Sequence, residues 1–188
     1  MNQSPEDSNR TFKRDLLGIV PSLRAFAMSL TGKHDKADDL VQNTIMKAWG
    51  NQASFEPGTN MKAWLFTILR NEFYSQMRKR GREVQDSDGV LTQNMSVHPE
   101  QYGSLDLQDF RAALDKLPDD QREAIILVGA SGFSYEEAAE ISGCAIGTIK
   151  SRVSRARAKL QELLDVTGEA DYGPDADSAA VTRKSFAL

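Results

Sequence analysis

Five cations, Lys150, Arg152, Arg155, Arg157 and Lys159, stand between Gly147 and Leu160 with no acid among them, a local charge of +5 within about one helix length. Guanidinium groups bond in pairs to the O6 and N7 edge of guanine, and ammonium groups neutralise phosphates, so the chemistry on offer is recognition of nucleic acid. A second cationic stretch, Asn60 to Arg82, carries Lys62, Arg70, Arg78, Lys79, Arg80 and Arg82 against the single acid Glu72, again +5. Between them the sign reverses: Glu83 to Asp109 holds six acids and no Lys or Arg. Any one basic stripe reads equally well as a solvated helix face. Two of them, separated by an acidic stretch, match a chain that grips DNA at two places, although the net charge is only -4.

Other chemistries find little support. There is no Gly-rich phosphate loop and no nucleophile elbow, and the lone Cys144 has no His near it in sequence. With only His34 and His98 beside that cysteine, soft ligands are too few for structural zinc. A non-enzymatic protein with no cofactor and no metal is expected. At 188 residues, 40% hydrophobic and 27% charged, the chain has room for one domain or two small ones with a real core. The longest apolar run, Ala124 to Ala130, is too short to enter a bilayer as a spanning helix, so membrane insertion is not expected. The N-terminus lacks the basic start and apolar stretch of a secretory signal, which points to the cytoplasm, as does the single cysteine.

The elements that must position the cations follow from periodicity. Phe12, Leu16, Ile19, Leu23, Phe26 and Leu30 recur at steps of three and four, predicting amphipathic helix. Pro21 predicts a break near Val20 and a new helix that Gly32 terminates. A next helix, Asp35 to about Trp49, places Ala37, Leu40, Val41, Thr44, Ile45, Ala48 and Trp49 on one side, leaving Asp38, Asp39, Gln42, Asn43, Met46 and Lys47 on the other. Pro57-Gly58 marks a loop over 51–60. A third helix, Met61 to Arg80, has Met61, Trp64, Leu65, Ile68, Leu69, Phe73 and Met77 as its apolar face and ends in the Arg/Lys cluster. The macrodipole explains one or two cations there, not four within five residues.

From Arg82 helical periodicity lapses, predicting a flexible acidic linker. Helical signal resumes near Leu107, where Phe110, Leu114 and Leu117 form a stripe that Pro118 ends, followed by a helix from Asp119 to Val128. No alternating strand pattern of convincing length occurs, so the expected fold is all-α. The boundaries expected are 10–82 and 106–165 for two small helical domains, 83–105 for the linker and 166–188 for a disordered tail.

The most specific local signal lies ahead of the second cationic stretch. Ser134-Tyr-Glu-Glu137 fits a capping box, and Gly143 stands four residues after Ala139, where a tight turn needs a positive φ. Cys144 and Ile146 are read as turn residues that pack inward. Ile149, Val153, Ala156 and Leu160 then form the buried stripe of a following helix. This is the pattern of a helix-turn-helix whose second helix presents Thr148, Ser151, Arg152 and Arg155 to a DNA groove, with Lys150, Arg157 and Lys159 better placed for phosphates. A helical hairpin with a solvated basic face is the competing reading.

With these residues in view, the chain resembles the extracytoplasmic-function (group IV) σ factors, and within them the alphaproteobacterial general-stress subgroup. The resemblance runs over about residues 12–165 and rests on Asp35 to Trp49, Lys62 to Asn71, Leu114 to Pro118 and Gly147 to Arg157, in that order. It implies a σ2 and a σ4 domain joined by a linker, and a protein that binds core RNA polymerase, recognises −35 and −10 promoter elements and promotes melting under the control of an anti-σ factor. By resemblance, Asp38, Asp39, Gln42, Asn43 and Lys47 dock on the β′ clamp helices, while σ4 meets the β flap. The −10 element falls to Phe55, Asn60, Lys62, Trp64, Arg70, Asn71 and Tyr74, with Arg78, Lys79 and Arg80 on the strand's track. Ser75 departs from the family, which often has aspartate there. A tryptophan at helical spacing, such as Trp64, is also an ordinary core residue.

Two rivals remain on sequence alone. A stand-alone helix-turn-helix regulator explains 134–160 but not the Trp49 and Trp64 motifs. A σ-like decoy that captures an anti-σ factor has little use for a basic second helix.

Overall fold

In the computed structural model the residues described are 5–86 and 105–164; the acidic linker core and the C-terminal tail of the sequence reading lie outside them. Among the described residues there are seven α-helices and no strand: α1 (Pro5–Thr31), α2 (His34–Gly50), α3 (Met61–Asp86), α4 (Leu105–Asp115), α5 (Asp119–Ile125), α6 (Tyr135–Ser142) and α7 (Ile146–Leu163).

The first three helices pack on one another, burying Phe12, Leu16, Leu23, Phe26, Ala27 and Leu30 of α1 against Ala37, Leu40, Val41 and Ala48 of α2 and Leu65, Leu69 and Phe73 of α3. The predicted break at Pro21 is absent. α1 runs straight through it, because residue 21 sits on the exposed face, where the Leu17 carbonyl that loses its bond can turn to water. The buried stripe on either side holds the helix together across the defect. Gly32, at φ 66°, then ends α1 as expected.

α2 matches its predicted span to within a residue at each end, but Trp49 is 45% exposed, with its ring edge-on to that of Phe12 at 6.1 Å. Loop 51–60 contains a single 3₁₀ turn, Gln52–Ser54, and a tight turn at Gly58, φ 91°. α3 corrects the sequence reading at three points. It continues to Asp86, six residues beyond Arg80, since Gly81 weakens a helix without blocking it. Met77 is exposed, and Phe66, absent from the predicted stripe, is fully buried.

The second unit wraps α4, α5 and α6 around α7. Ala113 and Leu117 pack on Ala156 and Leu160, whereas Phe110, expected inside, is exposed. The helix predicted over Asp119 to Val128 widens after Ile125 into a π turn, Ile126–Ala130, closed by Ser131 N–H on the Ile126 carbonyl at 2.8 Å. Gly132, at φ 74°, then reverses the chain and drives Phe133 inward.

The two units are pressed together. Phe26 of α1 stacks on Phe66 of α3 at 4.8 Å, and Phe66 meets the edge of Phe133 at 4.9 Å, so one buried cluster runs from the first unit into the second, while Ala113, Leu117, Ala156 and Leu160 form a separate one. Contacts of α3 with α6 and of α1 with α5 complete this junction.

Candidate nucleic-acid and polymerase interfaces

The helix-turn-helix is built as its sequence predicts. Ser134 Oγ accepts from the Glu137 N–H at 3.1 Å, and the Glu137 carboxylate accepts from the Ser134 N–H at 2.9 Å, so two orphan donors are satisfied reciprocally. Gly143 caps α6 at φ 63°, ψ 40°, a conformation that costs an L-residue roughly 1–2 kcal/mol. Ile149, Val153, Ala156 and Leu160 are all buried, which turns the cations of α7 outward. Ile146, expected to pack inward, is 40% exposed because it begins α7 instead of belonging to the turn, while Cys144 is half-buried against the core.

The outward residues of α7 are not equivalent. Lys150 and Arg155 are exposed. Arg152, predicted to face a groove, leans back on α5, its Nε 3.0 Å from Asp120 and its Nη1 3.8 Å from Cys144 Sγ. Ser151 donates to the Thr148 carbonyl within its own helix at 2.9 Å. Lys159 pairs with Glu162 along the same helix, and Thr148 and Arg157 are half-buried.

The first unit's candidate residues divide into three groups. Phe55 and Trp64 lie 5.2 Å apart in an aromatic cluster with Phe12. Asn71, Arg78, Lys79 and Arg80 are exposed along α3. The other four, Asn60, Lys62, Arg70 and Tyr74, turn toward the second unit. Asn60 caps α3 by accepting from the Ala63 N–H at 3.0 Å, and its amide donates to Glu137 at 2.7 Å. Lys62 donates to the Ser131 carbonyl at 2.6 Å and lies 5.0 Å from the Phe133 ring centre. Burial pulls its pKa down, against the opposing pull of Glu137.

Arg70 and Tyr74 converge on Glu123, which sequence reasoning did not single out. This carboxylate is 2% exposed; it accepts from Arg70 Nε at 2.5 Å, the Tyr74 hydroxyl at 2.6 Å and the Ser142 hydroxyl at 2.8 Å. Arg70 also lies over the Tyr74 ring at 4.7 Å. Burial, followed by the hydrogen bond to Glu123 and its charge, raises the Tyr74 pKa and keeps the phenol a donor. A signal for Glu123 existed: it stands one helical turn before the fully buried Leu127, a charge in phase with an apolar stripe.

On α2, Asp38, Asp39, Gln42 and Lys47 are exposed and Asn43 is half-buried, forming one face. Asp38 pairs with Arg24 of α1 at 2.6 Å. Lys47 binds Glu72 of α3, which also accepts from Gln76; these bonds lower the Glu72 pKa.

Two helical units of this kind, the second a capped helix-turn-helix, define the class. Residues 19–83 match Sigma-70 region 2 and residues 107–160 match Sigma-70, region 4. The ECF RNA polymerase sigma factor EcfG of Rhodopseudomonas palustris (strain TIE-1) is 61% identical over 171 residues, covering 91% of this chain and 94% of the relative. The sigma factor RpoE from Bartonella quintana, solved in complex with the anti-sigma factor NepR, is 73% identical and superposes with a TM-score of 0.77 over 85% of this chain and 99% of that one. CnrH, solved with the cytosolic domain of CnrY, is 27% identical with a TM-score of 0.57, over 87% and 90% of the two chains. The chain belongs to the ECF RNA polymerase sigma factors. It is a promoter-recognition subunit of RNA polymerase, and the stand-alone regulator is not favoured. Among the described residues no helix is long and apolar enough to cross a membrane.

Proposed function

We propose that the two basic segments divide the promoter between them, residues 10–82 acting as σ2 on the −10 element and residues 106–165 as σ4 on the −35 element. α7 lies in the major groove with Arg155 reading a base edge and Lys150, Arg157 and Lys159 on phosphates. Arg152 and Ser151 join the readout once their internal bonds yield to DNA. On σ2, Asn60, Lys62, Arg70, Asn71 and Tyr74 hold the melted strand, Arg78, Lys79 and Arg80 track its backbone, and Phe55 and Trp64 brace the loop. The α2 face of Asp38, Asp39, Gln42, Asn43 and Lys47 docks on the β′ clamp helices, and σ4 docks on the β flap.

The observation that carries this reading is α7 itself, whose buried stripe leaves cations outward directly after a capped tight turn. The solved relatives held by anti-σ factors support a regulated σ factor of the general-stress type, acting in the cytoplasm without catalytic chemistry of its own. Run-off transcription from a library of promoter fragments, with bacterial core polymerase and this chain, tests it. Chain-dependent transcripts sharing two spaced upstream elements are expected, and Arg155→Ala should relax one −35 position. Transcription unaltered by any of the α7 substitutions would refute the −35 assignment.

A further inference from the structure

Four polar side chains on the proposed strand-binding edge of σ2 meet acceptors of the second unit: Asn60 on Glu137, Lys62 on the Ser131 carbonyl, and Arg70 and Tyr74 on Glu123. The row extends along α3 for about 20 Å at 1.5 Å per residue. Donors on one side and oxygen acceptors on the other are what a phosphodiester track would require of the same residues. Glu123 stands closest to that role, since its Oε1 accepts from Arg70 and its Oε2 from Tyr74, as two oxygens of one phosphate would. The charge has no evident purpose within its own unit. Among the described residues its hydrogen-bond partner there is the Ser142 hydroxyl, whereas its cation and its second hydroxyl come from α3.

We propose that Glu123 is an internal phosphate mimic that latches the second unit over the strand-binding edge, so that docking of the two units and capture of single-stranded promoter DNA exclude one another. The proposal rests on the −10 assignment of Arg70 and Tyr74. Phe66 against Phe133 supplies the apolar part of the same junction and Glu123 its polar specificity. In the free chain the strand-binding edge is then available only in the undocked fraction, and apparent affinity for single strands falls by that fraction. A partner that separates the units, as simultaneous engagement of two spaced promoter elements requires, uncovers the edge.

The test uses the full chain carrying Glu123→Gln, which removes the charge and keeps the shape. Two readouts are needed: energy transfer between dyes at Gln42→Cys and Gln161→Cys in a Cys144→Ser background, and anisotropy of a fluorescent mixed-sequence single-stranded DNA 30-mer. The expected result is lower transfer together with about tenfold or greater gain in affinity for the 30-mer. If transfer falls and affinity does not change, Arg70 and Tyr74 do not bind the strand, and both the −10 assignment and the mimicry fail. If neither changes, the latch is refuted, while the −10 assignment is judged separately by the effect of Arg70→Ala on promoter opening. Glu137→Gln covers a Glu123 variant that does not fold: it removes the other latch charge, which lies at a partly exposed site, and must move both readouts the same way by a smaller factor. No movement there would also overturn the latch.

Discussion

The α3 and α7 stretches carry the same local charge in sequence, yet the Lys62 to Tyr74 part of α3 and the α7 face have opposite fates in the fold, while Arg78, Lys79 and Arg80 stay exposed. Along α3, Lys62, Arg70 and Tyr74 are committed to acceptors from a distant part of the chain, with Arg70 only 20% exposed. Along α7, Lys150 and Arg155 are exposed, and the internal partners of Ser151, Arg152 and Lys159 all lie within the second unit. A basic stripe therefore does not announce an open binding surface. The fold decides whether the cations wait in solvent or are already matched.

The sharpest way to break this comparison is Arg70→Ala, which leaves Glu123 buried without its cation. Removing one member of such a pair costs about 3–5 kcal/mol, enough to favour separation of the units, where water can solvate the carboxylate. Hydrogen exchange should show lost protection at the α3–α6 junction, and unchanged protection would mean that the apolar contacts alone hold it. Next is the contrast within α7. Arg155→Ala should cost about 1–3 kcal/mol at one base position with no change in the stability of the second unit. Arg152→Ala should instead lower that stability modestly, having lost Asp120 and Cys144, and relax the base preference less. A uniform loss across promoter sequences for both arginines would refute their base contacts.

Gly143→Ala should destabilise the second unit by roughly 1–2 kcal/mol through the left-handed backbone at the turn, and Ser134→Ala by about 1 kcal/mol through the lost cap, both measured by thermal unfolding. Lys150→Ala should leave sequence preference alone and reduce the slope of log affinity against log salt by about 1. The smallest effect is in alkali. Because the Tyr74 pKa is raised above its ordinary 10, its contribution to docking is intact below pH 10 and is lost as pH rises further. Lys62, whose pKa is lowered from 10.5, works in the opposite sense, so the phenol is isolated by comparing energy transfer in the native chain with Tyr74→Phe across pH 9 to 12.

Much of the helix-turn-helix was legible in the sequence because its determinants are local. A capping box spans four residues, a turn glycine needs only its own φ, and the stripe Ile149, Val153, Ala156, Leu160 repeats within one helix. The assignments that failed depend on what stands opposite. Pro21 breaks a helix only if tertiary packing does not override it. Met77, Phe110 and Ile146 have the right type and phase for a core, but no helix among the described residues covers them and they stand exposed. Phe66 lies off the predicted stripe and is buried because a second unit, tens of residues away in sequence, lays Phe133 against it.

By itself, then, the sequence determined the all-α class, the turn that aims α7 and the two concentrations of positive charge, since periodicity, capping and composition act within a few residues of each other. Only the tertiary structure decided that α1 is continuous, that Arg152 leans on Asp120, and that Glu123 gathers Arg70, Tyr74 and Ser142. Those outcomes depend on which desolvated groups meet across tens of residues of chain, and no local pattern encodes the meeting.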